Sequence, residues 1–261
     1  MTKSKGKMFK VIHPDFNMFE SEILTCVETF QASGKDVLVG KRNQIKKFEM
    51  GNHQINIKSF KSPNAFNALV YKYIRPSKAK RSYDYANKLM SLGISTPQPI
   101  AFIEYAPLRG LNSSYYISKH IDYDLDFRVL IHKQSLPNRV KILQEFTEFT
   151  FRLHENNINF LDHSPGNTII KKDDNRYNFY LIDLNRMRFE TMDFNKRMHN
   201  FRRLWLSKTM IRIMAKTYAA LYGKTYEETH RLMLEHSLKF QRKSNQKKMK
   251  KLGRRPKFKS D

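Results

Sequence analysis

Apolar residues along the chain repeat first with mixed periods and later almost entirely with the period of a helix. In "MFESEILTCVETFQAS", Phe19, Ile23, Val27 and Phe30 recur at helical spacing and Gly34 marks a stop, which predicts a first helix. "DVLVG", "NQIKKFEM" and "QINIKSF" are short, β-branched or alternating, and "GKR" and "GNH" separate them. Residues 36–60 therefore read as an antiparallel meander of three strands. A helix over 77–92 follows, with Ser77 as its cap, Ala79, Tyr83, Ala86 and Met90 on one face, and Gly93 beyond its end. "TPQPIAFIEYA" and "SSYYISKHID" read as two further strands, the prolines confining the first to a sheet edge or to a strand start.

Beyond "DYDLDFRVLIH" a long amphipathic helix is predicted from Asn138 to Glu155, burying Val140, Leu143, Phe146, Phe149, Thr150 and Leu153. The loop "NFLDHSPGNTII", the strands "NTIIKK" and "FYLIDL", and helices to about residue 236 complete the pattern. No internal repeat is present. The layout is α+β in two lobes: an N-lobe over 1–122 with an antiparallel sheet and one main helix, and a mostly helical C-lobe over 123–238. Residues 239–261 hold eleven Lys or Arg against one acidic residue, and this composition predicts a disordered basic tail.

Charge adds a partner class. Lys and Arg number 49 against 24 Asp and Glu, and a net charge of +25 predicts attraction to a polyanion: nucleic acid, an acidic membrane face or a phosphorylated substrate. The tail offers only Phe240 and Phe258 for base stacking, so nucleic acid is not expected. For the tail, an anionic membrane surface and a merely solvated segment that aids solubility are equal readings, with RNA as a third anion. Cys26 is the single cysteine, which excludes an internal disulfide and fits a reducing compartment, and without a CxxC pair structural zinc is not expected. The basic N-terminus leads into no apolar h-region, and no run of about 18 apolar residues occurs. The expected location is cytoplasmic, peripheral on the inner face of the cytoplasmic membrane where the tail engages it.

The candidate chemistry lies in the loop. Pro165 and Gly166 account for a turn, and Asp162 alone would pass for an Asx-turn residue. The five-residue spacing from Asp162 to Asn167, with Asp183 closing the apolar strand "FYLI", needs a further reason, since burying an unpaired carboxylate is costly. Kinase-type phosphoryl transfer requires a strand Lys for the nucleotide phosphates, an Asp beside the acceptor hydroxyl, and an Asn and a second Asp for the metal. Lys58 in "INIKSF", Asp162, Asn167 and Asp183 occur in that order. Lys46, Lys47, Lys61 and Lys72 compete with Lys58, whose claim rests on its place in the third strand. His154 and His163 lack any metal-site spacing and are assigned to packing or turns. Arg186 and Arg188 have phosphate, Asp183 or an ordinary salt bridge as alternatives.

With "GISTPQPIAFIE", "LHENNINFLDHSPGNTII" and "YLIDLNRMRF" in place, the chain resembles the lipopolysaccharide kinase (Kdo/WaaP) family over roughly residues 36–235. The resemblance implies a protein-kinase-like fold, with ATP and Mg²⁺ as cofactors. The implied reaction moves the γ-phosphate to a sugar hydroxyl, Kdo or heptose of a lipopolysaccharide core or lipid A precursor, so a sugar or lipid-linked glycan is the implied acceptor. It makes Asp162 the catalytic base, Asn167 and Asp183 the metal ligands, and Lys58 the phosphate-pairing lysine. The chain departs from the kinase pattern at Phe160, where a His is common, and at "IDLN", which replaces Asp-Phe-Gly. No G-x-G-x-x-G is present, and Lys41 with Arg42 would supply charge over the phosphates instead. Asp84, one methylene shorter than the usual Glu, is the nearest helical acid to pair with Lys58. The rival readings are a small-molecule or protein kinase on the same fold and a nucleotide-binding pseudokinase scaffold.

Overall fold

The computed structural model describes residues 7–40, 43–60, 76–106 and 113–253. Contacts divide the chain into two units, Met1–Asp122 with Tyr180–Asn185, and Tyr123–Phe179 with Arg186–Asp261. The short segment carrying Asp183 thus belongs with the first unit, although its place in the chain puts it amid the second.

The first unit is built on a six-stranded antiparallel sheet. Its strands are β1 (Lys7–Ile12), β2 (Lys35–Val39), β3 (Asn43–Met50), β4 (His53–Phe60), β5 (Pro99–Ala106) and β6 (Ser113–Lys119), in the order β1-β5-β6-β4-β3-β2. The meander appears as expected. Pro99 opens β5, and β5 lies inside the sheet because β1 pairs along its outer side, from Lys7 against Ala106 to Ile12 against Ala101. Lys7–Ile12 is therefore a strand, which the alternation of so few residues did not reveal. A 3-10 turn (Pro14–Phe19) leads into α1 (Glu20–Glu28), shorter than the predicted helix. Phe16, Ile23, Val27 and Phe30 pack against Met50, Ile55, Ile57 and Ile117 to form the core beneath the sheet. Gly34 turns the chain with φ +82, and a Cβ there would lie 2.5 Å from the Phe48 ring, so only glycine fits.

Helix α2 (Lys78–Ser91) begins where Ser77 accepts a bond from the Lys80 amide. It buries Ala79, Tyr83, Ala86 and Leu89, whereas Met90, expected inside, is exposed. Tyr83 and Ala79 join Phe60 and Phe102 in a second, smaller cluster.

In the second unit β7 (Leu125–Asp126) leads into α3 (Phe127–His132), and α4 (Arg139–Glu155) follows. Helix α4 buries Ile142, Leu143, Phe146, Phe149 and Leu153, while Val140 faces solvent because it lies in the first turn, off that stripe. Strand β8 (Ile158–Phe160) pairs with β11 (Met187–Phe189), and β9 (Thr168–Asp173) lies between β7 and β10 (Arg176–Leu181). The last two residues of β10 belong to the first unit. Then come α5 (Phe194–Asn200), a 3-10 turn (Phe201–Leu204), α6 (Lys208–Tyr222) and α7 (Tyr226–Gly253).

Helix α7 corrects one expectation: residues 239–253 are helical, not an unstructured tail. Its first half is anchored by buried Met233 and Ser237, and Lys, Gln, Met and Leu continue it readily because they are good helix formers. Among the described residues, no helix is long and apolar enough to cross a membrane.

Candidate active site

In the first unit, β4 presents Lys58 toward the strand end that carries Asp183. Lys58 Nζ lies 2.5 Å from Asp183 Oδ1, with the lysine side chain 12% and the aspartate 31% exposed. Asn185 Nδ2 donates to the same oxygen at 2.6 Å. Asp183 adopts a left-handed backbone, φ 58, a conformation that costs free energy in a non-glycine residue and recurs at functional sites. The competing lysines have other duties or lie elsewhere. Buried Lys46 donates to the Gln31 and Ser33 carbonyls, Lys47 reaches Gln54, and Lys61 and Lys72 lie outside the described residues.

The acid expected to pair with Lys58 does not. Asp84 bonds Lys80 at 3.0 Å on the exposed side of α2, an i,i+4 pair made within the helix. What α2 contributes instead is Arg81, buried, whose Nη1 donates to the Asn185 carbonyl at 2.8 Å. The helix thus holds the Asp183–Asn185 backbone, a link no motif in the sequence signals. Lys41, with Arg42, lies outside the described residues.

In the second unit, the loop from Leu161 to Asn167 is held at both ends. The Leu161 amide donates to the Arg186 carbonyl at 3.0 Å, and Asn167 Nδ2 donates to the Asp162 carbonyl at 2.8 Å, so Asp162 and Asn167 share one closed turn. That bond commits the Asn167 nitrogen and leaves its Oδ1 as an acceptor. The Asp162 carboxylate, 18% exposed, faces two guanidinium groups: Arg203 Nη2 at 2.7 Å from Oδ1 and Arg186 Nη1 at 3.7 Å from Oδ2. Arg186 therefore sits beside Asp162 rather than Asp183. Arg203 was not legible as a site residue.

Beneath the loop lies a buried polar network. Asn200 Nδ2 donates to the Phe160 carbonyl and to Asn159 Oδ1, both at 3.0 Å, and because a carbonyl only accepts, this fixes the amide orientation. Asn200 Oδ1 must then accept from His163 Nδ1 at 2.9 Å and from His154 Nε2 at 3.3 Å, while Tyr218 donates its hydroxyl to His154 Nδ1 at 2.8 Å. Both imidazoles are fully buried and neutral. Desolvation pushes His154 down to about 3, reinforced by the Arg197 charge, and pushes His163 down to about 4. The packing role expected for the two histidines is the one they have.

Each of the two expected metal ligands is a hard oxygen donor in its own unit: Asp183 carries a carboxylate in the first and Asn167 an amide oxygen in the second, and Mg²⁺ is commonly held by one or two carboxylates together with substrate phosphates. Among the described residues no group of three or more His, Cys, Asp or Glu could hold a metal, so an all-protein cage is not offered there.

The model of the lipopolysaccharide kinase (Kdo/WaaP) family matches residues 59–226. The structure of WaaP in complex with acyl carrier protein is 15% identical, with a TM-score of 0.62, over 92% of this chain and 98% of that one. A double mutant of the PknI kinase domain of Mycobacterium tuberculosis is 10% identical with a TM-score of 0.44, over 78% of this chain and 94% of that one. No curated protein matches the sequence. The fold is the protein-kinase-like α+β fold, with an antiparallel sheet in the first unit and mostly helices in the second.

Proposed function

The chain belongs to the lipopolysaccharide kinase (Kdo/WaaP) family, and from that premise we propose that it transfers the γ-phosphate of ATP to a hydroxyl of Kdo or heptose in a lipopolysaccharide core or lipid A precursor. Kinase chemistry follows from the family; the acceptor is the proposal. The observation that carries it is the Lys58–Asp183 pair, a strand lysine and a strand-end carboxylate brought together from positions 125 residues apart. A pairing at that separation has no local cause.

In this reading Lys58 leaves Asp183 to engage the nucleotide phosphates, with Asn185 and Arg81 keeping the Asp183 segment in place. Asp183 and the Asn167 amide oxygen are the residues that would hold Mg²⁺, which when bound neutralises charge on the transferring phosphoryl group. Asp162 accepts a hydrogen bond from the acceptor hydroxyl, orients its oxygen and takes its proton as the bond to phosphorus forms. Asn167, by closing the turn on the Asp162 carbonyl, keeps that carboxylate at the loop surface.

The exposed half of α7 supports a peripheral position at an anionic membrane. Lys247, Lys248, Lys250 and Lys251 are exposed together with Met249 and Leu252, which offers charge to headgroups and apolar side chains to the interface.

The direct experiment is incubation with γ-labelled ATP, Mg²⁺ and a panel of lipid A precursors, core oligosaccharides and protein acceptors. Label is expected on the glycan of Kdo- or heptose-containing acceptors. Label confined to protein or to a small molecule would replace this reading with the corresponding kinase, and nucleotide binding with no transfer to any acceptor would replace it with a scaffold.

A further inference from the structure

We propose that Arg203 is a positioning residue for the catalytic loop, holding Asp162 in its working rotamer and itself held by the aromatic face of α7. The inference rests on the assignment of Asp162 as the base. Of the two guanidinium groups near Asp162, only Arg203 lies within hydrogen-bond distance, 2.7 Å against 3.7 Å for Arg186, and its side chain is 31% exposed against 57%. A charge-assisted bond in such shelter is directional, whereas a longer and more exposed contact is screened.

Arg203 is well placed for the task. It belongs to the 3-10 turn Phe201–Leu204, whose Phe201 and Leu204 are fully buried, so its Cα is fixed by the core. The turn ends at Trp205 in a left-handed conformation, φ 56, which sends the chain sharply away. The guanidinium lies over the Phe240 ring of α7, 5.8 Å from its centroid, and Trp205 meets the same ring edge-on at 5.9 Å. Gln241 Nε2 on the next residue of α7 bonds the Leu206 carbonyl at 3.2 Å. Arg203 Nε is buried and has no hydrogen-bond partner among the described residues. A side chain placed only for stability would not be expected to leave that donor unmet while its far end serves a carboxylate. The geometry favours the bond to Asp162 over saturation of the arginine.

The test compares Arg203→Met, Arg203→Lys and Phe240→Leu with the full-length protein. For Arg203→Met we expect kcat to fall about 100-fold, the effect of a slightly misplaced catalytic group, with KM for ATP within about twofold of the parent. Arg203→Lys should recover part of that loss, and guanidinium ion added to Arg203→Met should recover some activity. In an Asp162→Asn background, Arg203→Met should cost nothing more. Retained kcat in Arg203→Met, or a further loss of similar size in the Asp162→Asn background, would overturn the proposal. A second readout needs no acceptor: amide exchange over residues 159–167 should quicken about tenfold in Arg203→Met and rise in Phe240→Leu. Unchanged exchange there overturns the positioning role even if every acceptor assay fails, an outcome that would count against the kinase reading alone.

Discussion

Lowering the pH from 7 to 5 should cost the second unit about 4 kcal/mol of stability, through His154 and His163. Each imidazole has an ordinary pKa of about 6.5 when the chain is unfolded. Folding lowers these to about 3 and about 4. Between those values and 6.5 the unfolded chain binds more protons than the folded one, so stability rises with pH across the window and is lost as pH falls. At pH 5 each neutral histidine forgoes about 1.5 pH units of protonation, roughly 2 kcal/mol at 1.36 kcal/mol per unit, and the two together roughly 4. Set against the 5–15 kcal/mol typical of domains, that is a large fraction. The hydrogen bonds explain why protonation is resisted. A proton on His154 Nδ1 would face the donating Tyr218 hydroxyl, and one on His163 Nε2 would be a buried N–H, since that nitrogen has no partner among the described residues. His199, lowered to about 4 by desolvation and by Arg202 and His236, acts with the same sign.

Trp205 is the only tryptophan and lies in the second unit against Phe240, so its fluorescence in a urea titration reports this unit. Unfolding free energies at pH 7 and pH 5 should differ by several kcal/mol, at pH values still above the carboxylate range. Imidazole proton spectra of the folded protein should show three rings, those of His154, His163 and His199, that do not titrate down to pH 5. A difference below about 1 kcal/mol, or all nine histidines titrating near 6.5, would refute the reasoning.

Asp162→Asn should lower kcat by about 10²–10⁴ for loss of the base, while the unfolding free energy from a urea titration changes by no more than about 1 kcal/mol, the usual size of a partly exposed ion pair. Asp183→Ala should abolish the Mg²⁺ dependence of ATP-analogue binding measured by calorimetry, and Asn167→Ala should weaken it less because a neutral amide contributes less field to a dication; equal, unchanged metal dependence in both would contradict the assignment. Gly34→Ala should destabilise the first unit by about 1–3 kcal/mol in thermal unfolding, since it combines a positive φ with a Cβ forced into the Phe48 ring. Deleting residues 246–261, which spares Phe240 and Gln241, should reduce sedimentation with anionic vesicles at low salt and leave turnover of a water-soluble acceptor intact; undiminished sedimentation would remove the membrane role.

The meander, α2 and α4 were legible because a two-residue or 3.6-residue period needs no knowledge of what lies across the core. The errors fall where one side chain's fate depends on a neighbour. Met90 and Val140 satisfy helical spacing but sit at the margins of their stripes. Asp84 was a reasonable partner for Lys58 by chain order, yet Lys80 four residues earlier on the same helix reaches it without any tertiary requirement. Composition alone predicts disorder over residues 239–261, of which 254–261 lie outside the described residues, and for 239–253 it cannot register that a helix already nucleated on buried Met233 extends at little cost through good helix formers. Arg81 and Arg203 left no trace in the sequence because an arginine's partner is set by tertiary structure, and 49 basic residues hide two.

The loop that opened the chemical question divides its residues between two tasks by the direction each side chain takes. His163 is completely buried and is tied to Asn200, and the 3-10 turn Pro165–Asn167 brings the chain back toward β9. Asp162, one residue before that histidine, points to the arginines at the surface, and Asn167 closes the turn upon its carbonyl. A polar cluster between apolar runs is thus half foundation and half working group. The consequence is a separation of mutant phenotypes: a change at His163 reaches activity only by loosening the buried network, and so lowers stability first, whereas a change at Asp162 reaches the rate directly and leaves the fold almost as it was.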